Sequence, residues 1–215
     1  MANLIGIMGD PGSGKSTSLK SLPAKDTFYC DCDGKGLNWK GWRKDYNSVA
    51  GNYYKVSEPE KVVQSLKAVG TNEKHRHFKY FVVDTVNNLM VSEEMRRCRE
   101  KGYDKWTDLA QSVWNLVELP AMLREDLTVI LVFHTQTERT EDGYERIRIK
   151  TNGRKVEKND IDSKFNWLLR SIKQGDQYLF EVTSHNSSSR TPLDAFESDY
   201  IENDILKVIE VMKEY

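Results

Sequence analysis

The sequence has no long apolar run, and nothing in it approaches the roughly 18 consecutive apolar residues that suggest a membrane-crossing helix. Its first nine residues (MANLIGIMG) lack the basic flank and the length of a secretory leader. Cysteine is scarce: Cys30, Cys32 and Cys98 form no CxxC pair and are odd in number, which argues against a disulfide framework or a zinc site and for a reducing compartment. Neither sign of charge dominates, because 32 Lys and Arg against 33 Asp and Glu leave a formal net charge of −1. No global field therefore draws the chain to nucleic acid or to a membrane, and any nucleic-acid contact has to come from a local basic patch. Internal repeats and low-complexity linkers are also missing. These absences leave a soluble, cytoplasmic protein as the expectation, with no membrane partner.

What is present suits one folded domain spanning 1–215. The chain is 38% hydrophobic and 30% charged, polar for a globular protein yet outside the range of disorder. Apolar patterning predicts strands over 4–8, 27–33, 53–56, 80–83 and 127–133. It predicts helices over 15–22, stopped by Pro23, over 58–69, stopped by Gly70, and over 86–100 and 106–124. Strands alternating with helices, with near-continuous apolar runs, give an α/β fold with a mostly parallel central sheet flanked by helices. The C-terminal third differs. Residues 144–150 alternate and Asn152-Gly153 is a hairpin turn signal with 154–157 returning, so 138–160 reads as a β-hairpin or loop insertion. A second hairpin, 165–172 with 177–183, turns at Gln174-Gly175-Asp176. A terminal helix presents Ile201, Ile205, Val208, Ile209 and Met212 on one face.

The strongest motif follows the first strand. Gly9, Asp10, Pro11, Gly12, Ser13, Gly14, Lys15, Ser16 and Thr17 (GDPGSGKST) fit G-x-x-x-x-G-K-[ST]. Glycines let the backbone wrap a phosphate with its N–H groups pointing at the anion. Lys15 then reaches the β- and γ-phosphates, and Ser16 offers a hydroxyl to Mg²⁺. A plain glycine turn before a helix is the alternative, and the preceding strand weighs against it. No NKxD-like guanine-reading element follows a later strand, which favours ATP as the nucleotide.

A phosphate loop needs a carboxylate at the end of a neighbouring strand to hold the magnesium shell, and Asp84, closing 80–84 (YFVVD), is the candidate that would join Ser16 at Mg²⁺, acting through water. Hydrolysis also needs a group that orients or deprotonates water. The position after Asp84, where many such ATPases carry glutamate, is Thr85. Asp31 and Asp33 are two residues apart, so a regular strand points both to one face and facing does not choose between them. Asp33 is nearer the C-terminal edge, where α/β sheets bind ligands, and is the preferred base. His134, ending its strand, is placed to sense the γ-phosphate, with Thr135 and Gln136 as neighbours. A sheet-edge histidine with ordinary partners is the competing view. The expected catalytic set is Lys15, Asp33, Asp84 and His134.

Taken together, the phosphate loop, Asp31-Cys32-Asp33, Asp84-Thr85 and His134-Thr135-Gln136 resemble the RecA-like core of P-loop NTPases. More narrowly, 200–208 (YIENDILKV) and the short length resemble phage-encoded AAA-type NTP-binding proteins, including the Sak-class single-strand annealing ATPases. The resemblance implies a sheet in which the 127–133 strand separates the Asp84 strand from the first strand. It also implies Mg²⁺-dependent ATP binding and hydrolysis, slow without DNA or a partner, and a role in phage DNA recombination or single-strand annealing. Implied partners are single-stranded DNA, a single-strand-binding protein and further copies of the chain, in the host cytoplasm. Family members carry an acidic residue near Asp33 as the water-orienting group. Aspartate in place of the glutamate of RecA itself is a departure, and the lack of a long N-terminal polymerisation segment argues against filaments.

Two further features bear on DNA and on subunit contacts. Between 138 and 158 lie Arg139, Arg146, Arg148, Lys150, Arg154, Lys155 and Lys158, interspersed with five acids. Mixed charge is ordinary for a solvated hairpin; Arg146, Arg148 and Lys150, sharing a strand face, are the candidates for tracking a phosphate backbone. Arg190 (SSSRT) is a candidate arginine finger for a neighbouring subunit, against the commoner surface-loop arginine. Trp39 and Trp42 either stack a base or anchor their loop. Rival functions are a small-molecule or nucleoside kinase, for which 139–154 is a poor arginine-rich lid, and a non-hydrolysing nucleotide-dependent assembly switch.

Overall fold

Apolar runs flanked by helical stretches place both faces of a sheet in the interior, and a computed structural model shows that arrangement for residues 1–101, 104–139, 143–151 and 160–215. The strands are β1 (Asn3–Gly9), β2 (Thr27–Asp31), β3 (Tyr53–Lys55), β4 (Tyr80–Asp84), β5 (Thr128–Arg139), β6 (Glu145–Ile149), β7 (Trp167–Gln174), β8 (Gln177–Glu181) and β9 (Tyr200–Glu202). The helices are α1 (Trp42–Asp45), α2 (Pro59–Thr71), α3 (Val86–Arg96), α4 (Asp104–Glu118) and α5 (Ile205–Met212). Strand order is β3-β2-β4-β5-β1-β7-β8-β9, with β6 paired to the outer half of β5. Pairing is parallel from β3 through β7 and antiparallel for β7/β8, β8/β9 and β5/β6. The β5 strand separates β4 from β1, as the RecA-like resemblance implies.

Side-chain alternation divides the interior into two cores. Phe81, Val83, Leu131 and Phe133 pack on the face covered by α2, α3 and α4, where Val62, Leu66, Leu89 and Leu116 are fully buried. Val82, Ile130, Val132 and Leu169 point to the other face, covered by α5 through Ile205, Val208 and Ile209. Asp204 caps α5, its carboxylate accepting from Leu206 N at 3.0 Å and from Ser21 Oγ at 2.5 Å.

Several expected boundaries move. The segment after the phosphate loop is a 3-10 turn, Thr17–Ser21, instead of a helix over 15–22. Ser and Thr are indifferent helix formers, and Ser18 Oγ spends its proton on the Lys15 carbonyl at 2.6 Å. Gly70 lies inside α2 and is not its stop; a Cβ there would meet the Leu123 side chain at 2.7 Å, so the glycine serves close packing. The second strand ends at Asp31 and not at Asp33, and Ile201 belongs to β9, outside the terminal helix. The 144–150 segment does pair, but backwards onto β5 with Thr135 opposite Ile149, so its hairpin turns near Gly143; the expected turn at Asn152-Gly153 and the return over 154–157 lie outside the described residues.

Gly9 lies close against Ser171 of β7. A Cβ added there would lie 2.5 Å from Ser13 Oγ and 2.6 Å from the Ser171 carbonyl oxygen. Backbone cannot yield as a side-chain tip can, so Gly9→Ala is expected to cost about 1–3 kcal/mol of stability. Urea denaturation of the two proteins measures it, and an unchanged midpoint would contradict the close approach.

Candidate functional site

The register of the parallel strands aligns their C-terminal ends: Asp31 pairs with Asp84, and Gly9 with both His134 and Ser171. Phosphate loop, acids and histidine therefore share one sheet edge, around a cleft of about 410 Å³ lined by Lys15, Ser16, Asp33, Asp84, Thr85 and His134. Gly12 and Gly14 hold φ of 79° and 101°, angles open to glycine and strained for other residues, and the loop arches as its motif requires. Because the turn that follows is only five residues long, anion binding rests on loop N–H groups and Lys15 more than on a helix dipole.

Lys15 is 6% exposed, and its ammonium donates to the carbonyls of Gly9 at 2.8 Å and Asp10 at 2.7 Å. Burial brings its pKa down to about 8, outweighing the opposing pull of Asp84, Asp10 and Asp33. Asp84 is buried, and its Oδ2 accepts from Ser16 Oγ and from the Tyr29 hydroxyl, each at 2.6 Å. Burial raises the Asp84 pKa while those hydrogen bonds pull it back. Ser16 and Asp84 thus put two hard oxygen donors together, a set suited to Mg²⁺, which takes one or two protein oxygens and fills its shell with phosphate and water. Among the described residues no group of three or more His, Cys, Asp or Glu forms an all-protein metal cage.

The two acids at and just past the end of β2, Asp31 and Asp33, have different partners. Asp31 is occupied: its carboxylate accepts from Gly34 N and Gly36 N at 2.8 Å each and from the Tyr53 hydroxyl at 2.5 Å. Asp33, past the end of the strand, lies against the cleft, accepting from Thr85 Oγ1 at 3.0 Å and from Lys35 Nζ at 2.8 Å. His134 is held by its backbone, with N–H donating to Asn87 Oδ1 at 2.7 Å and its carbonyl accepting from Lys150 N at 2.8 Å. Its Nδ1 is buried and makes no hydrogen bond to the described residues, and burial followed by the Lys15 charge lowers its pKa. His134 thus lines the cleft while its Nδ1 is enclosed by protein. Thr135 donates from Oγ1 to Asp10 Oδ1, while the Gln136 side chain accepts from Thr151 N at 3.4 Å.

The remaining candidates lie apart from this cleft. Arg148 is turned into a carboxylate cluster, 2.8 Å from Glu138, 3.3 Å from Asp160 and 3.4 Å from Asp162, whereas Arg146 and Lys150 are exposed. Arg190 is half-buried beside Leu168, to which its backbone bonds in both directions, and Leu168 stands opposite Gly6, three positions short of Gly9. Trp39 packs edge-on against Tyr46 and Trp42 tilts against Tyr53, so both anchor their loop. A larger cavity of about 520 Å³, bordered by Asn3, Pro120 and Trp167, opens at the other end of β1, away from these groups.

Comparison with known families meets this geometry. A family model described as "AAA domain" matches residues 1–190. The chain belongs to the AAA domain family. No curated protein matches it. The AAA assignment makes it a P-loop NTPase with a nucleotide-binding site, and among the described residues no helix is long and apolar enough to cross a membrane.

Nucleotide binding to this AAA protein has a proton signature. With Lys15 at about pKa 8, phosphate oxygens are expected to raise it, so binding takes up about half a proton at pH 8 and far less at pH 7. Affinity therefore falls as pH rises above 8. Calorimetry in buffers of different ionisation enthalpy reads the uptake, and equal apparent enthalpies at pH 8 would contradict it.

Proposed function

We propose that the protein is a Mg²⁺-dependent ATPase acting on single-stranded DNA in phage recombination or annealing. The observation that carries the ATPase part is the convergence of Lys15, the Ser16–Asp84 pair and the Asp33–Thr85 pair on one cleft. Loop N–H groups and Lys15, leaving the Gly9 and Asp10 carbonyls, bind the β- and γ-phosphates. Ser16 and Asp84 hold Mg²⁺, which supplies charge neutralisation on the phosphate oxygens. Asp33 accepts a proton from water as its oxygen bonds to the γ-phosphorus. The bond from that phosphorus to the β–γ bridging oxygen breaks, ADP leaves with the electron pair, and the proton passes from Asp33 to solvent. His134, on the cleft wall, is the polar neighbour placed to sense the γ-phosphate.

The DNA part rests on the resemblance to Sak-class annealing ATPases, with exposed Arg146 and Lys150 on the β5–β6 hairpin as its contacts and Arg190 as a finger toward a neighbouring copy. The test is ATP turnover with and without single-stranded DNA, together with DNA retention with and without ATP at moderate salt. Stimulation and ATP-dependent retention are expected. Turnover indifferent to DNA, with no ATP-dependent retention, would remove the DNA role; absence of any turnover would leave a nucleotide switch.

A further inference from the structure

Lys35 belongs to no part of the phosphate-loop motif, yet it stands at the rim of the same cleft. It is the middle residue of Gly34-Lys35-Gly36, and that loop is fastened from below. Asp31 accepts from the N–H groups on both sides of Lys35, and Tyr53 in turn fixes the Asp31 carboxylate. The backbone that carries Lys35 is therefore held, while its side chain is 76% exposed. Its ammonium rests on Asp33 Oδ2 at 2.8 Å, the carboxylate that faces the attacking water in the reading above. Its charge is also among those that lower the pKa of both Lys15 and His134, so all three cationic or cation-capable groups surround the same space.

This pairing has a cost for catalysis and a remedy. While the pair holds, the Lys35 ammonium covers Asp33 Oδ2, an oxygen that a water would otherwise meet. An exposed ion pair is weak, however, and a long flexible side chain exchanges partners readily. A triphosphate entering the cleft brings concentrated negative charge opposite Asp33, and the γ-phosphate gives Lys35 a stronger partner than one carboxylate. A diphosphate brings no such group.

Building on the ATPase reading, we propose that Lys35 is a catalytic residue of this chain: it pairs with Asp33 while no triphosphate is bound, then moves onto a γ-phosphate oxygen and frees Asp33 to act on water. Lys35 thereby supplies in cis a transition-state charge of the kind that arginine fingers supply in other phosphoryl-transfer sites.

The experiment compares wild type with Lys35→Ala and Lys35→Arg for ADP affinity, affinity for a non-hydrolysable β,γ-methylene ATP analogue, and single-turnover ATP cleavage. Lys35→Ala is expected to bind ADP within about twofold of wild type and to bind the analogue about tenfold more weakly, the scale of one charged hydrogen bond. Cleavage should slow by about 10²-fold or more. Lys35→Arg keeps most of the analogue preference. In an Asp33→Asn background the Lys35→Ala loss of analogue affinity persists, because the contact is with phosphate. Unchanged analogue affinity, unchanged cleavage, or a loss that vanishes in the Asp33→Asn background would each overturn the assignment. If wild type itself cleaves no ATP, the ATPase reading and the catalytic role fall together, whereas cleavage by wild type that Lys35→Ala leaves intact overturns only the role of Lys35.

Discussion

Lys15→Ala is expected to reduce ATP turnover by about 10²–10³-fold or more, because it removes a buried cation of the cleft from the place where phosphate charge develops. The same change should not unfold the protein, and stability against pH shows why. The folded pKa of Lys15, about 8, lies below its ordinary 10.5. Burial thus penalises the charged form, and the penalty is fully present below pH 8 and fades between pH 8 and 10.5. Wild type should accordingly gain stability relative to Lys15→Ala across that window, whatever offset the two deprived carbonyls contribute. Chemical denaturation of both proteins at pH 7, 8.5 and 10 measures the difference. A constant gap would mean that Lys15 titrates as a solvent-exposed lysine.

Asp33→Asn is expected to lower turnover by about 10²–10⁴-fold while nucleotide binding survives. Asparagine keeps the volume and still accepts from Thr85 Oγ1, so the loop should hold its shape. What it loses is the capacity to take a proton. The neighbouring substitution Asp31→Asn should behave oppositely, weakening the anchorage of Gly34, Gly36 and Tyr53 and so lowering stability before chemistry. Single-turnover rates and melting temperatures for the pair separate the roles. Unimpaired turnover in Asp33→Asn would shift the base elsewhere.

The chemistry most visible in the sequence was that held within a few residues. The phosphate loop needs a fixed spacing of glycines, lysine and serine, and a run such as YFVVD announces both a buried strand and the acid at its end. Sheet order came from the resemblance, and the preference for Asp33 over Asp31 from the edge rule; that Asp31 is tied to Gly34 and Gly36 is a difference between the two acids that facing does not register. Tyr29 was missed although it shares a strand face with Asp31, because a tyrosine within an apolar strand looks like core until Asp84 is seen 2.6 Å from its hydroxyl. Lys35 belongs to no motif, and nothing in its sequence context marks it. The 3-10 turn and the fold-back of β6 depend on competition between local hydroxyl bonds and helix bonds, and on pairing across a turn, which periodicity does not register. Arg148 looked available for DNA because its carboxylate partners Asp160 and Asp162 lie beyond the strand pattern.

The outer strands of the sheet have a consequence for self-association. At its two margins stand β3 and β9, each three residues long, and the free side of β6 is bridged by 186–188, with Ile147 N donating to the Asn186 carbonyl at 2.7 Å and Ser188 N to the Ile147 carbonyl at 2.8 Å. A strand from another molecule therefore finds little backbone to extend against. In the proposed assembly on DNA, contacts between copies would then run through side-chain surfaces, which can be made and released without opening the sheet.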